Sequence, residues 1–236
     1  MKLLIIKVFV LFIRALYAPM KLRKTQNKIL WLSRQSDVKS SDMIMLEKAI
    51  EKISPESKQV FRLRRLKDES ALSLSYIFSL FGDMWEMASA RVVIVDTYSI
   101  PVSCLKHKKS LKTIQIWHAL GAVKKFSLQS AGKAQGRDSG VAKAMHMHEN
   151  YDYVIAPSKE TAKFYCQAFG CAEDKIRVFS LPRVDVLLDG TDKREEFLKL
   201  NPEYADKKIV AYIPTFRDND EKFARDIYET FEGRGD

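Results

Sequence analysis

Apolar positions along the 236-residue chain follow two periods. Short runs rich in β-branched and aromatic residues stand at Lys28–Ser33 (KILWLS), Gln59–Leu63, Arg91–Asp96 (RVVIVD), Thr113–Trp117, Tyr151–Ala156 (YDYVIA) and Ile176–Ser180. Their lengths and the turn residues around them predict strands. RVVIVD is apolar at consecutive positions, as expected of a strand covered on both faces. Between these runs the spacing becomes helical. Asp42–Ile53 places Met45, Ala49 and Ile53 beside Leu46 and Ile50, and Ser54-Pro55 ends it. Leu72–Ala90, Ala122–Ala131, Val141–Glu149 and Lys193–Leu200 also read as helices, as does a segment running from an N-cap at Ser158 to Phe169. Gly132–Gly140 and Leu181–Asp185 read as loops. Strands alternating with helices predict an α/β fold built on a Rossmann-like parallel sheet.

Pro202–Lys207 interrupts that alternation, and Lys208–Tyr212 (KIVAY) opens what reads as a second α/β unit. One strand and part of a helix are too little to cover a sheet edge. The expectation is one Rossmann-like domain over residues 28–206 and, over 207–236, the start of a second domain whose larger part lies beyond this sequence.

The first 27 residues stand apart. Leu3–Met20 is strongly apolar yet carries Lys7 and Arg14, with no small-residue cleavage site of the kind a signal peptide has. Lys7, Arg14 and Lys21 are seven apart, so on a helix they drift only about 20° per step and share a face. That pattern predicts a helix lying in a membrane interface with its basic side toward the headgroups. Lys21, Arg23, Lys24 and Lys28 extend the basic tract. A transmembrane span and an ordinary buried helix are the alternatives. Charge bears on the choice. The chain carries 40 Lys and Arg against 30 Asp and Glu, a net charge of +10. Such an excess suits an anionic partner, and its concentration beside an apolar helix points to an anionic membrane surface on the cytoplasmic side, not to nucleic acid. Cys104, Cys166 and Cys171 form no CxxC pair and read as reduced thiols.

One stretch gathers candidate chemistry. Gln115-Ile116-Trp117-His118-Ala119-Leu120-Gly121-Ala122-Val123-Lys124-Lys125 joins a buried strand to a histidine, small residues and a basic pair. A titratable side chain at the carboxyl end of a parallel strand is well placed for an active site. A histidine with a pKa near 6.5 can take a proton from a hydroxyl that must act as a nucleophile. The competing reading is a histidine packed under a loop. Lys124 and Lys125 read as phosphate contacts or as a solvated pair. Arg183 reads as an anion contact or as a local partner of Asp185. His146 and His148, at i and i+2, point in different directions on a helix and do not suggest a metal site. Asp96, at the end of RVVIVD, reads as a cleft residue or a helix cap.

Three segments, IQIWHALGAVKKF, APSKETAKFYCQAFGCAEDKIRVFSLPRVDVLL and KKIVAYIPTFRDND, resemble in order and spacing the CDP-glycerol glycerophosphotransferase family, which builds teichoic acids. The resemblance implies the amino-terminal, acceptor-side half of a GT-B glycosyltransferase-like fold. It implies a membrane-peripheral enzyme that passes polyol phosphate from CDP-glycerol or CDP-ribitol to a lipid-linked polymer acceptor, with no further cofactor. His118 falls on the family's Trp-His pair, where the histidine acts as base, and Trp117 lies beside it. Many members continue that pair with Gly-Thr-Pro, where this chain has Ala119-Leu120-Gly121. Thr215, Arg217 and Asp218 fall at the start of the donor half. Arg217 suits a bidentate contact to pyrophosphate, or an ion pair with Asp218 across the domain boundary. The alternatives are a GT-B glycosyltransferase that uses a nucleotide sugar and a catalytically inactive membrane-bound fragment.

Overall fold

The computed structural model describes residues 1–65, 74–133, 136–210 and 225. The chain forms two compact units, Met1–Asp189 and Gly190–Asp236. The break falls ahead of the boundary at residue 206 read from the sequence. The helix Lys2–Met20 (α1) belongs to the first unit.

That unit is built on six parallel strands: β1 (Lys28–Ser33), β2 (Lys58–Leu63), β3 (Val92–Val95), β4 (Lys112–Gln115), β5 (Tyr153–Ala156) and β6 (Ile176–Val178). They lie side by side in the order β2-β1-β3-β4-β5-β6. Register pairs Leu30 with Val60 on one side and Val93 on the other, and Val95 with Gln115. Alternate side chains of the central strands serve two cores, as the two-residue period of a strand demands. Leu30, Leu32, Val93 and Val95 enter the larger core, with residues of α1 (Lys2–Met20), α3 (Leu74–Met87), α4 (Ile100–Cys104) and α6 (Lys159–Phe169). Trp31, Ile94 and Ile116 face the other way, against Met43, Leu46 and Ile50 of α2 (Ser41–Ile53). Full burial of side chains this size stabilises the fold by about 1.5–3 kcal/mol each.

Caps set several helix ends. Ser40 Oγ accepts from Met43 N at the start of α2, and Ser158 Oγ accepts from Thr161 N at the start of α6. Gly170 closes α6 in a left-handed conformation that glycine adopts without steric cost. In the second unit, α8 (Lys193–Leu200) starts on the Asp192 carboxylate.

Four expectations need correction. First, α1 does not turn Lys7, Arg14 and Lys21 outward as one basic stripe. Val10, Ile13 and Tyr17 are buried in the larger core. Arg14, at the edge of that arc, donates Nε to the Cys104 carbonyl at 2.7 Å. The outward face is apolar instead: Leu4, Ile5, Val8, Leu11 and Phe12 are each more than half exposed. By length and composition α1 is also apolar enough to cross a membrane.

Second, Ala122–Ala131 is not an α-helix. Phe126 is extended and packs its ring on Trp117, Ser127 has a φ of +54°, and only a 3-10 turn at Ser127–Ser130 follows. Third, the helix expected over Val141–Glu149 is shifted to α5 (Ser139–Ala144), capped by Asp138; His146, His148 and Asn150 all have positive φ and cannot continue it. Fourth, Leu181–Asp185 is not simply a loop, because α7 (Arg183–Leu188) starts within it. Residues 208–210 carry no strand, and the rest of the expected strand lies outside the described residues, as do Thr215, Arg217 and Asp218.

Candidate active site

Strand order reverses once. From β1 the chain moves to β2 on one side, then to β3 on the other. In a parallel sheet the loops leaving the carboxyl ends on either side of such a reversal diverge and open a crevice. Arg34 and Gln35 leave β1, Asp96 to Tyr98 leave β3, and Ile116 to His118 leave β4. Of these, Arg34, Gln35, Thr97, Tyr98, Trp117 and His118 line a cavity of about 350 Å³, together with residues of the Ser127–Ser130 turn, Arg137 and His148.

His118 is held in one tautomer. Its Nδ1 lies 2.9 Å from the main-chain carbonyl of Asp96, which can only accept, so Nδ1 carries the proton. Nε2 is then the unprotonated nitrogen; the Gln35 amide nitrogen lies 3.0 Å from it and 3.1 Å from Nδ1, and both side chains line the cavity. Burial lowers the pKa of the imidazole below its ordinary 6.5; the bond to Asp96 opposes this, and the charge of Arg183 adds to the lowering. A neutral ring with a fixed donor and an unprotonated second nitrogen is the form a general base requires at pH 7.

Trp117 makes the turn that delivers this ring. Its φ is +55°, a conformation that bulky residues rarely adopt. Gln115 holds it there. The Gln115 Oε1 accepts from Trp117 N at 2.9 Å, while its Nε2 donates to Tyr151 Oη at 3.0 Å and to the Thr97 carbonyl at 3.2 Å. β4 therefore ends at Gln115, two residues short of the end expected from sequence. The indole lies 4.0 Å from the His118 ring, centre to centre, stacks on Phe126 at 5.2 Å and meets Phe169 edge-on at 5.3 Å. Trp117 thus lines the cavity and at the same time fixes the loop to the core.

Two carboxylates stand behind the site. Asp96 is buried and accepts from Ser33 Oγ at 2.9 Å through Oδ2. Burial raises its carboxyl to about 6. Asp42, in the first turn of α2, is buried and accepts both Arg183 N at 2.9 Å and Arg183 Nε at 2.7 Å, with Nη2 on the same oxygen. The carboxylate partner of Arg183 is therefore Asp42 and not Asp185.

The other expected residues separate. Lys124 and Lys125 are exposed and lie outside the cavity lining. His146 binds Glu149 through Nδ1 at 2.8 Å and meets Arg14 through Nε2 at 3.0 Å. His148 is buried, bonds Tyr151 Oη at 2.9 Å, and is driven by burial down to about 3, so it stays neutral. Among the described residues, no group of three or more His, Cys, Asp or Glu side chains is arranged to hold a metal ion. Arg34, Arg137, Tyr98 and Ser127 were not picked out in the sequence. The one signal available for Arg34 was its position directly after the first strand, at the same carboxyl edge as His118.

Comparison with known proteins adds the following. The model of the CDP-glycerol:poly(glycerophosphate) glycerophosphotransferase family matches residues 15–232. The teichoic acid ribitol-phosphate primase of Bacillus spizizenii is 34% identical over 146 residues, which cover 61% of this chain and 38% of that protein. The teichoic acid glycerol-phosphate primase of Bacillus subtilis is 31% identical over 140 residues, covering 59% and 36%. The teichoic acid poly(ribitol-phosphate) polymerase of Bacillus spizizenii is 26% identical over 210 residues, covering 87% and 32%. The chain therefore spans about a third of the length of these relatives. The wall teichoic acid polymerase TagF shares the fold, with a TM-score of 0.63 at 19% identity over 87% of this chain and 52% of that one.

Proposed function

The chain belongs to the CDP-glycerol:poly(glycerophosphate) glycerophosphotransferase family, and from that membership we propose that it is the acceptor-side part of a membrane-peripheral polyol-phosphate transferase. A hydroxyl of a lipid-linked polymer attacks the β-phosphorus of CDP-glycerol or CDP-ribitol. A new P–O bond forms, the pyrophosphate P–O bond breaks, CMP leaves, and the hydroxyl proton passes to His118 Nε2. The observation that carries this reading is the tautomer of His118, with Nδ1–H on the Asp96 carbonyl, in a ring that lines the cavity. Phosphoryl transfer asks little covalent chemistry of a protein beyond positioning, charge neutralisation and a base for the nucleophile.

Trp117 forms one wall of the acceptor site and Arg183 supplies positive charge near His118. Lys124 and Lys125 form an outer basic approach. Thr215, Arg217 and Asp218 are assigned to the donor phosphates on their motif alone.

The test uses the full-length gene product that carries this chain. Incubated with a lipid-linked acceptor, it releases CMP from CDP-glycerol or CDP-ribitol and nothing from UDP-sugars. Absence of CMP release from both CDP-polyols overturns the reading.

The membrane role rests on α1. Its exposed Leu4, Ile5, Val8, Leu11 and Phe12 form an apolar strip edged by Lys7, with Arg23 and Lys24 beyond the helix end. That combination suits a helix resting on an anionic bilayer at the cytoplasmic face. Because the other side of α1 is core, deletion of the helix is a poor test. Leu4→Ser/Leu11→Ser/Phe12→Ser keeps the core and removes the strip. This variant leaves anionic liposomes in a sedimentation assay if the proposal holds, and equal sedimentation with wild type refutes it.

A further inference from the structure

We propose that Arg34 and Arg137 form a phosphate-binding subsite beside His118, which holds the phosphodiester of the acceptor's terminal polyol unit. The identity of the anion rests on the transferase reading above; the existence of an anion subsite does not.

The two guanidinium groups flank one ring. The Arg34 carbon lies 5.6 Å, and that of Arg137 5.5 Å, from the centre of Tyr98. The two charges repel each other, and among the described residues neither has a carboxylate partner. Arg34 is partly fixed, with Nη1 donating to the Tyr98 carbonyl at 3.2 Å and its main-chain N–H to Thr97 Oγ1 at 3.2 Å. Its Nε is buried and has no protein partner. Across the same cavity the buried Ser127 Oγ also has none.

Among the described residues no Asp or Glu lines this cavity, and its histidines, His118 and His148, are both held toward the neutral form. Two cations, a buried N–H and a buried hydroxyl therefore converge on about 350 Å³ with no carboxylate among the described lining residues. Burying a guanidinium away from any counter-charge is costly, and Arg forks match phosphate oxygens bidentately. A cavity of this size falls within the range of small-molecule sites. With the phosphate between the arginines, the hydroxyl of the same polyol unit extends toward His118 Nε2 in the same cavity. The arrangement selects acceptors whose reacting hydroxyl is carried by a phosphorylated unit, and disfavours bare sugar or glycerol termini.

The experiment is calorimetric titration of the 236-residue chain with sn-glycerol 3-phosphate, inorganic phosphate and glycerol. The two phosphates bind and glycerol does not. Arg34→Ala and Arg137→Ala each weaken glycerol 3-phosphate by at least about tenfold, the scale of a lost charged hydrogen-bond pair. Arg34→Lys does not recover the loss, since a point charge replaces a fork. Lys39→Ala, which removes a positive charge ahead of α2 that pairs with Glu47 and does not line the cavity, stays within about twofold. Thermal melting confirms that each variant is folded. Arg137 is exposed, so Arg137→Ala remains informative if Arg34→Ala does not fold. Wild-type affinity in Arg137→Ala, or glycerol binding as tightly as glycerol 3-phosphate, overturns the subsite. If the full-length product releases no CMP while both arginines still govern phosphate binding, the transferase reading falls and the subsite stands. If CMP is released while both arginine variants bind glycerol 3-phosphate like wild type, the subsite falls alone.

Discussion

At the amino ends of the strands, buried charge is matched. Lys28 opens β1 with its side chain 2% exposed, and its Nζ donates to Glu86 Oε2 and Ser89 Oγ, both at 2.7 Å. Before β5, the Asp152 carboxylate accepts from Thr113 N at 2.8 Å and from Lys112 Nζ at 3.1 Å. At the carboxyl ends of the same strands, Arg34 Nε, Asp96 Oδ1 and Ser127 Oγ are buried without a protein partner, and Trp117 is held at positive φ. Among the described residues, the other buried side-chain atoms in that condition, Tyr17 Oη, Ser103 Oγ and His107 Nδ1, belong to uncharged groups around α1, α4 and the loop that enters β4. Native folds pair buried polar groups almost everywhere. The incompletely paired charged groups Arg34 and Asp96 beside a strained aromatic therefore mark the end of the sheet kept for a ligand, and the end where charge is matched is the one that holds the fold.

The largest way to break this contrast is His118→Ala. The carboxyl-end reading expects CMP release by the full-length product to fall by about 10²–10⁴-fold, the usual contribution of a positioned general base. Unfolding free energy should change by less than about 1 kcal/mol, because the ring lies at the rim and not in the core. Since burial holds the imidazole below 6.5, wild-type activity stays flat on descending from pH 8 to 6.5 and declines only below that. A loss of stability matching the loss of activity would return His118 to a packing role.

Lys28→Met tests the other end. Removing one member of a buried pair leaves its partner without compensation, which costs up to about 3–5 kcal/mol; Glu86 is partly exposed, so about 2–3 kcal/mol is expected here. Urea unfolding measures it, and glycerol 3-phosphate affinity of the folded variant should not move. Lys28→Met/Glu86→Leu should recover most of the loss. A change in phosphate affinity would mean that the two ends are coupled.

The sequence made the paired framework more legible than the site. Consecutive apolar residues at 92–95 and the capped segment from Ser158 to Phe169 carry local signatures, and both elements stand where their patterns put them. His118 was legible because it directly follows the run Thr113–Trp117 that reads as a strand. Arg34 and Arg137 were not, because they come from loops far apart in sequence and meet only through the reversal of strand order at β1 and β3. Tertiary contact overrode local pattern twice more. The Trp117–Phe126 stack accompanies the extended backbone that replaces a helix expected over 122–131. Asp42, 141 positions away, fixes Arg183 in a turn of helix that reads locally as a proline-bearing loop.

A smaller and opposite effect is expected at Asp96. Its carboxyl titrates at about 6 in the fold against an ordinary 3.8, raised by burial. Between those values the folded protein holds a proton that the unfolded chain has released. Stability therefore falls as pH rises from 3.8 to 6, and the ionised form destabilises the fold above that by about 2–3 kcal/mol. Asp96→Asn removes the charge and keeps an oxygen for Ser33 Oγ. It should be about 2 kcal/mol more stable than wild type at pH 7.5 and no more stable near pH 4, measured by urea unfolding at both values. His118 is held by the Asp96 main-chain carbonyl, which this substitution leaves in place. A variant less stable than wild type at pH 7.5 would mean that the carboxylate is compensated in solution, and that this part of the rim is not strained by charge.

The smallest effect is expected at Lys124 and Lys125, and it defines how far the working rim extends. Both side chains are exposed and lie outside the cavity that contains His118, Arg34 and Arg137. Exposed charges act on a ligand through solvent, are damped within about 8 Å at physiological salt, and give little to a ligand already gripped by partly buried groups. Lys124→Ala/Lys125→Ala should therefore reduce transfer by no more than about threefold at 150 mM salt, with a larger loss at low salt where long-range attraction of an anionic polymer survives. A loss of tenfold or more that is insensitive to salt would place both lysines in direct contact with substrate. The site would then continue from the cavity along the Ala119–Phe126 loop, and the boundary between matched and unmatched charge would no longer coincide with the carboxyl edge of the sheet.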